Sequence, residues 1–243
     1  MQSGSIPLFR LAGIRVFLHF SWFIVGAYEI SVLRGRYHAP IWAVYEYLAL
    51  FLIVLLHEFG HALACRQVGG HAEQIVLWPL GGIAFVSPPP RASAMLWSIA
   101  AGPLVNVVLA PFLEILLIFA RAHWRYEAPD AVTLIYWIRV INLALLVFNL
   151  LPVYPLDGGQ ILRALLWFPL GRIRSLQIAS ALGVAGGALL GAYAYYLGSI
   201  WIGVMAFFLV SRAVAGWRQA SELAAEERET HRALAAMRER PVL

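Results

Sequence analysis

The sequence predicts an all-α polytopic membrane protein with about six transmembrane helices. Hydrophobic residues make up 61% of the 243 positions and charged residues only 13%, whereas a soluble domain is about 45–50% apolar and about 25% charged. The mean hydropathy is +0.75. Several apolar stretches reach the roughly 20 residues that a helix needs to cross the hydrocarbon core of a bilayer. Together these observations exclude a water-soluble fold.

Six apolar stretches are predicted to span the membrane. They cover residues 14–33, 41–66, 93–120, 131–151, 175–197 and 199–216. The first stretch lacks a clean small-residue cleavage site, which favours an uncleaved membrane anchor over a signal peptide. The apolar run at 159–170 is too short to cross a bilayer. We expect it to form a short helix at the membrane surface or inside the bundle.

Residues 67–92 differ in composition from the predicted helices. Two short β-prone runs flank Gly81 and Gly82, and three prolines close the segment. This pattern predicts a short re-entrant loop that resembles a β-hairpin, although an ordinary interfacial loop has a similar composition. Unpaired strand edges cannot face lipid, so a hairpin here must lie against protein or in a water-filled cavity.

The net charge of +5 comes entirely from arginine, because the sequence contains no lysine. The arginines lie mostly between the apolar stretches, which is typical of membrane topology and argues against nucleic-acid binding. Their distribution predicts a multi-pass protein of the cell membrane, with both termini and the inner end of the second helix in the cytoplasm. Residues 217–243 are predicted to form a charged cytoplasmic tail after a transmembrane domain at 1–216. The lack of lysine also predicts a GC-rich prokaryotic genome.

A candidate metal motif, His57-Glu58-Phe59-Gly60-His61, lies near the end of the second predicted helix. Residues four apart lie one turn apart on the same helix face, so both imidazoles can bind one ion. A catalytic zinc site takes three protein ligands and a water whose pKa falls to about 7. Glu58 can accept the proton of that water. A chance match is the alternative, but ionisable residues within spanning segments are costly and usually functional.

The third ligand should reach the same depth as the two histidines. Asp130 and Asp157 are the only aspartates, and the predicted topology places Asp130 on the opposite side of the membrane from His57. Asp157 follows the fourth helix on the same side as the histidines. Nearby prolines break the helix, and two glycines permit close backbone approach. Asp157 is therefore the candidate third ligand.

The two motifs together resemble those of the site-2 protease family of intramembrane zinc metalloproteases. The second motif runs from Asn149 to Gly158 as Asn-x-x-Pro-x-x-Pro-Leu-Asp-Gly, about 90 residues after the first. The segment from Ala101 to Asn106, Ala-Gly-Pro-Leu-Val-Asn, also resembles one found in this family. The similarity is greatest to the compact six-helix branch that includes the sporulation sigma-factor-processing protease. Neither a PDZ domain nor a CBS domain is expected.

The resemblance implies a three-helix catalytic core that cuts substrates in or near their transmembrane segments. One zinc ion per chain would be held by His57, His61 and Asp157, with Glu58 as the catalytic base. The implied partners are the lipid bilayer and a single-span membrane protein, such as a membrane-anchored transcription regulator or its inhibitor. Self-association into a homo-oligomer is left open.

Further polar residues have candidate roles. By resemblance, Asn149 binds substrate or stabilises the developing oxyanion, although helix–helix hydrogen bonding is the alternative. The edge of the hairpin at Gly81 and Gly82 is a candidate site for an unwound substrate to add as a strand. Arg139 and Asn142 lie on the same face of the fourth helix as Asn149. The carboxylates expected within reach of Arg139 are those of Glu29, Glu46 and Glu114.

Two other functions share some of these features. A zinc-binding membrane transporter would have intramembrane ligands, but it would not especially require a carboxylate beside the first histidine. A non-proteolytic scaffold could keep the fold, yet it would have little reason to retain every catalytic position.

Overall fold

A computed structural model describes residues 4–78 and 81–238. The chain divides into two compact units, residues 1–149 and 150–243. The first unit contains, in chain order, the strands and helices β1 (Ser5–Leu11), β2 (Ile14–His19), α1 (Ser21–Leu33), a 3-10 turn (Arg34–Arg36), α2 (Ile41–Gln67), β3 (His71–Trp78), β4 (Gly81–Ser87), α3 (Ala92–His123) and α4 (Pro129–Asn149). The second unit contains α5 (Asp157–Leu197) and α6 (Ile200–Arg238).

The helical membrane fold predicted from composition is confirmed. Among the described residues, five helices, α2 to α6, are long and apolar enough to cross a bilayer. Helix α2 has 27 residues, which corresponds to roughly 40 Å of helix. The predicted three-helix core corresponds to α2, α3 and α4, which pack against one another in the first unit.

The predicted first helix, residues 14–33, instead forms strand β2 followed by α1. Ile14, Val16 and Leu18 are buried while Arg15 between them is exposed, and this period of two is that of a strand with one buried face. Helix α1 has only 13 residues. Strand β2 shares a buried cluster with the second half of α2, and Trp22 of α1 packs on Tyr47 and Phe51 in the first half of α2. The two elements together therefore run alongside α2.

The predicted hairpin is confirmed, and it belongs to a larger sheet. Strands β3 and β4 pair antiparallel from His71↔Ser87 to Trp78↔Gly81. The strand order is β1-β2-β3-β4, with β2 parallel to β3 and antiparallel to β1. The buried face of this sheet packs on α2, so the hairpin lies against protein, as the membrane environment requires.

The second unit consists of two long helices, of which α5 has a kink. Pro169 lies inside α5, and Gly171 has a φ of 79° that interrupts the helical geometry. The break separates the predicted short helix at 159–170 from the predicted span at 175–197. Helix α6 continues through residue 216 to Arg238, so the first part of the charged tail is helical. The domain boundary at 216 stays a prediction.

Candidate metal centre

Helix α2 brings the two motif histidines together. His57 and His61 are 3% and 6% exposed, and their rings lie edge to face with centroids 4.7 Å apart. The two Nε2 atoms are 3.1 Å apart. Glu58 adjoins His57 in the same helix and is 6% exposed. The structure therefore places two imidazole nitrogens and one carboxylate-bearing residue inside a membrane-spanning helix.

The opposite ring nitrogens of both histidines face oxygen atoms. His57 Nδ1 lies 2.6 Å from Asn106 Oδ1, and His61 Nδ1 lies 2.9 Å from the Ser98 carbonyl oxygen. Amide and carbonyl oxygens only accept hydrogen bonds, so each Nδ1 carries the proton and donates it. When both rings are neutral, each Nε2 therefore presents a lone pair.

The separation of the two Nε2 atoms fits a shared zinc ion. Two nitrogens bound at about 2.0–2.1 Å in tetrahedral geometry would lie about 3.3 Å apart, close to the observed 3.1 Å. Two Nε2 lone pairs at this distance repel each other, and a bound zinc ion or a shared proton relieves that repulsion. The buried donor set, its orientation and its spacing all suit zinc.

Two glycines allow α2 and α3 to approach closely at this point. A Cβ atom on Gly60 would lie 2.6 Å from the Ala101 carbonyl oxygen, and one on Gly102 would lie 2.2 Å from His61 Nε2. Both distances are too short for any side chain. Gly102 belongs to the Ala-Gly-Pro segment that resembles the site-2 protease family, and its position gives that segment a physical role. It makes room for the imidazole of His61.

Asp157, the proposed third ligand, is the first residue of α5 in the second unit. The chain before it folds back tightly, because a Cβ on Gly158 would lie 2.3 Å from the Leu150 carbonyl oxygen. The same holds for Gly159, whose Cβ would lie 2.3 Å from the Tyr154 nitrogen. Glycine is therefore required at both positions after Asp157. The assignment of Asp157 as a zinc ligand stays a prediction.

The other aspartate, Asp130, lies at the start of α4 and has a structural role. Its carboxylate accepts hydrogen bonds from the backbone nitrogens of His38 and Ala39 and lies 2.7 Å from His38 Nδ1. This segment immediately precedes α2, so Asp130 lies at the opposite end of α2 from His57. The side of the membrane on which Asp130 lies stays a prediction.

The three candidate substrate-binding residues, Asn149, Gly81 and Gly82, belong to two different elements. Asn149 is the last residue of α4, while Gly81 and Gly82 begin the edge strand β4, opposite Trp78 and Leu77. Their predicted contacts with substrate are untested.

Arg139 forms its predicted ion pair, and the partner is Glu114.

Asn142 is fully buried and donates to the Asn106 carbonyl oxygen. The role of Asn106 beside His57 was not predicted, although it belongs to the segment that resembles the site-2 protease family. The role of the Ser98 carbonyl leaves no signal in the sequence, because any residue supplies the same group.

A sequence profile of peptidase family M50 matches residues 45–123 and 122–192. A zinc metalloprotease of Methanocaldococcus jannaschii is 35% identical over 181 residues, covering 74% of this chain and 50% of the relative. Stage IV sporulation protein FB of Bacillus subtilis is 30% identical over 156 residues, covering 61% of this chain and 46% of the relative. The chain thus spans about half the length of these curated relatives.

A solved structure is similar over most of the chain. The site-2 protease from Methanocaldococcus jannaschii matches with a TM-score of 0.65 and 31% sequence identity, covering 88% of this chain and 95% of that one. The regions matched by the family profile include His57, Glu58, His61 and Asp157.

Proposed function

Because this chain belongs to peptidase family M50, we propose that it is an intramembrane zinc metalloprotease. It hydrolyses peptide bonds in or near the transmembrane segments of membrane-bound substrates. The observation that carries this proposal is the convergence of His57 Nε2 and His61 Nε2 at 3.1 Å inside α2, next to the buried carboxylate of Glu58. A membrane helix has no structural need for that combination.

The residues of the site divide into ligands and a base. His57, His61 and Asp157 would hold the zinc ion as its three protein ligands. Bound zinc supplies positive charge that polarises a peptide carbonyl and acidifies a water molecule. With zinc bound, Glu58 would be placed to accept the proton of that water and to donate a proton to the leaving amine. Asn149 contributes a hydrogen-bond donor to the substrate carbonyl oxygen.

The substrate must lose helical structure before it is cut, because helical carbonyls are already hydrogen-bonded within the helix. The edge strand β4 offers a place for the unwound segment. Gly81 and Gly82 pair with β3 on one side, and β4 lies at the end of the sheet order, so its other side can accept a further strand. Single-span membrane proteins, such as a membrane-anchored transcription regulator or its inhibitor, are the proposed substrates.

The site is proposed to open toward the cytoplasm, on the same side as both termini. Arg10 of β1 and Arg15 of β2 lie opposite each other in the strand register. Arg66 donates hydrogen bonds to the turn between these strands. Arg91 donates to the backbone just after α2. All four cations belong to the end of α2 that follows His57, which supports a cytoplasmic orientation.

The function is tested with purified protein reconstituted in liposomes together with a single-span membrane protein. We expect cleavage within or next to the spanning segment, mapped by mass spectrometry of the products. Removing metal with a chelator should abolish cleavage, and adding one equivalent of zinc should restore it. Cleavage that persists after the metal is removed, or zinc flux into the liposomes without any cleavage, would contradict the proposal.

A further inference from the structure

Two asparagines form a hydrogen-bonded pair behind His57. Asn106 on α3 and Asn142 on α4 are both fully buried. Asn106 Nδ2 donates to Asn142 Oδ1 at 2.9 Å, and Asn142 Nδ2 donates to the Asn106 backbone oxygen at 3.0 Å. Asn106 Oδ1 then lies 2.6 Å from His57 Nδ1. All three residues belong to the first unit.

The direction of every hydrogen bond in this chain follows from one backbone group. The carbonyl oxygen of Asn106 can only accept, so it must face the NH2 group of Asn142. The Oδ1 atom of Asn142 therefore points at the Asn106 side chain and selects its NH2 group. This leaves the Oδ1 atom of Asn106 facing His57, where it accepts from Nδ1–H. A reversed amide at either position would bring two donors or two acceptors together.

We propose that Asn142 is a positioning residue for the metal site, although it does not contact a metal ligand itself. It holds the Asn106 amide with its oxygen toward His57, which keeps the proton of His57 on Nδ1 and the Nε2 lone pair available for zinc. The inference rests on the proposed function for its biological meaning. What it predicts directly is a change in zinc affinity when Asn142 is replaced.

The arrangement explains why an amide of fixed orientation is needed. An asparagine without Asn142 could turn its NH2 group toward His57 Nδ1, which would favour the tautomer with the proton on Nε2. That tautomer cannot bind zinc through Nε2. Partners that orient a metal-bound histidine commonly contribute about 10- to 100-fold to metal affinity. Asn142 should therefore influence zinc binding through Asn106.

The test uses a pair of substitutions in two backgrounds. Asn142→Leu should weaken zinc binding by about tenfold or more, measured by competition with a chelating dye in detergent. In an Asn106→Asp background the same substitution should change zinc affinity less than about threefold, because both oxygens of a carboxylate accept and no orientation has to be fixed. A smaller effect of Asn142→Leu in the Asn106→Asp background shows that Asn142 acts through the Asn106 amide. A role in packing alone would give the same effect in both backgrounds.

An equal loss of zinc affinity in both backgrounds would overturn the proposal, as would an unchanged affinity for Asn142→Leu with Asn106 present. Thermal unfolding of each metal-free variant provides the folding control. If the leucine variant does not fold, nitrogen NMR of the metal-free wild-type protein decides instead. His57, assigned by comparison with His57→Gln, should be protonated on Nδ1, and protonation on Nε2 would overturn the proposal.

These measurements need no substrate. Reduced zinc affinity in a protein that cleaves nothing would refute the proposed protease function and leave the positioning role intact. Normal proteolysis with unchanged zinc affinity in Asn142→Leu would refute the positioning role and leave the proposed protease function intact.

Discussion

The two ends of α2 carry buried polar groups of very different kinds. Near its start, Glu46 is 4% exposed, forms an ion pair with Arg36 and accepts a 2.6 Å hydrogen bond from the Tyr37 hydroxyl. The guanidinium of Arg36 also stacks on Trp137, 3.7 Å from the ring centroid. Near the other end, His57 and His61 direct two Nε2 atoms at one point and are held from behind by neutral oxygens.

The residues around Glu46 form a structural cluster, whereas His57 and His61 form the proposed metal site. At Glu46 the charges compensate one another within the protein. Burial raises the pKa of Tyr37, and the neighbouring Glu46 raises it further, so this hydroxyl remains a hydrogen-bond donor. At His57 and His61 the two Nε2 atoms lie 3.1 Å apart while each Nδ1 faces an oxygen atom, a geometry that suits a bound cation. Buried polar residues in a membrane helix therefore indicate function when their side-chain atoms converge at a distance that suits a bound ion.

The largest loss of zinc affinity is expected when Asp157 is replaced, with Asp130 replaced separately as the control. Asp157→Ala should lower zinc affinity by at least about 100-fold, because a catalytic zinc site needs three protein ligands. Asp130→Ala is the matched control, since Asp130 also lies in the first turn of a helix but binds the segment before α2. It should retain about one zinc per chain in elemental analysis. Equal zinc loss in both variants would remove Asp157 from the ligand set.

A smaller effect is expected from a single methyl group at the helix contact. In Gly102→Ala the new Cβ would lie 2.2 Å from His61 Nε2, so the ring must move and zinc affinity should fall by about tenfold. Gly35→Ala is the control because a Cβ there meets nothing within 4 Å. Dye competition measures both. Tight zinc binding by Gly102→Ala would show that the His61 ring can shift at no cost.

The smallest effect on the metal site is expected at the opposite end of α2. Glu46→Gln removes the charge that compensates Arg36 and should destabilise the protein by about 1–3 kcal/mol. Zinc affinity should be unchanged, because the metal site makes no use of this cluster. Unfolding in mixed detergent micelles gives the stability change. A loss of zinc without a loss of stability would contradict the separation of the two clusters.

The sequence was sufficient for the family and the helical membrane fold, and these predictions are confirmed. The zinc cofactor stays part of the proposed function. The confirmed predictions rest on composition and on two motifs whose residue types and spacing are specific. The hairpin at 71–87 was also predictable, because glycines interrupt two β-prone runs. The ion pair of Arg139 followed from the scarcity of carboxylates at its depth.

Other features depend on tertiary contacts that a pattern of hydrophobicity does not reveal. Strand β2 contains enough apolar residues to read as part of a helix, and only its burial on alternate residues identifies it as a strand. The tight turn before it, with Ala12 and Gly13 at φ values of 49° and 77°, favours a hairpin that pairs locally. The roles of Asn106 and Ser98 depend on how α3 packs against α2.

A comparison of Glu58→Gln with Glu46→Gln tests whether this chain cleaves its substrate with zinc and Glu58. Both substitutions neutralise a buried glutamate of α2, and both variants should bind about one zinc per chain. Cleavage of a reconstituted single-span substrate should fall at least about 100-fold in Glu58→Gln, as expected for loss of a general base, and should persist in Glu46→Gln. Undiminished cleavage by Glu58→Gln with full zinc content would contradict the account.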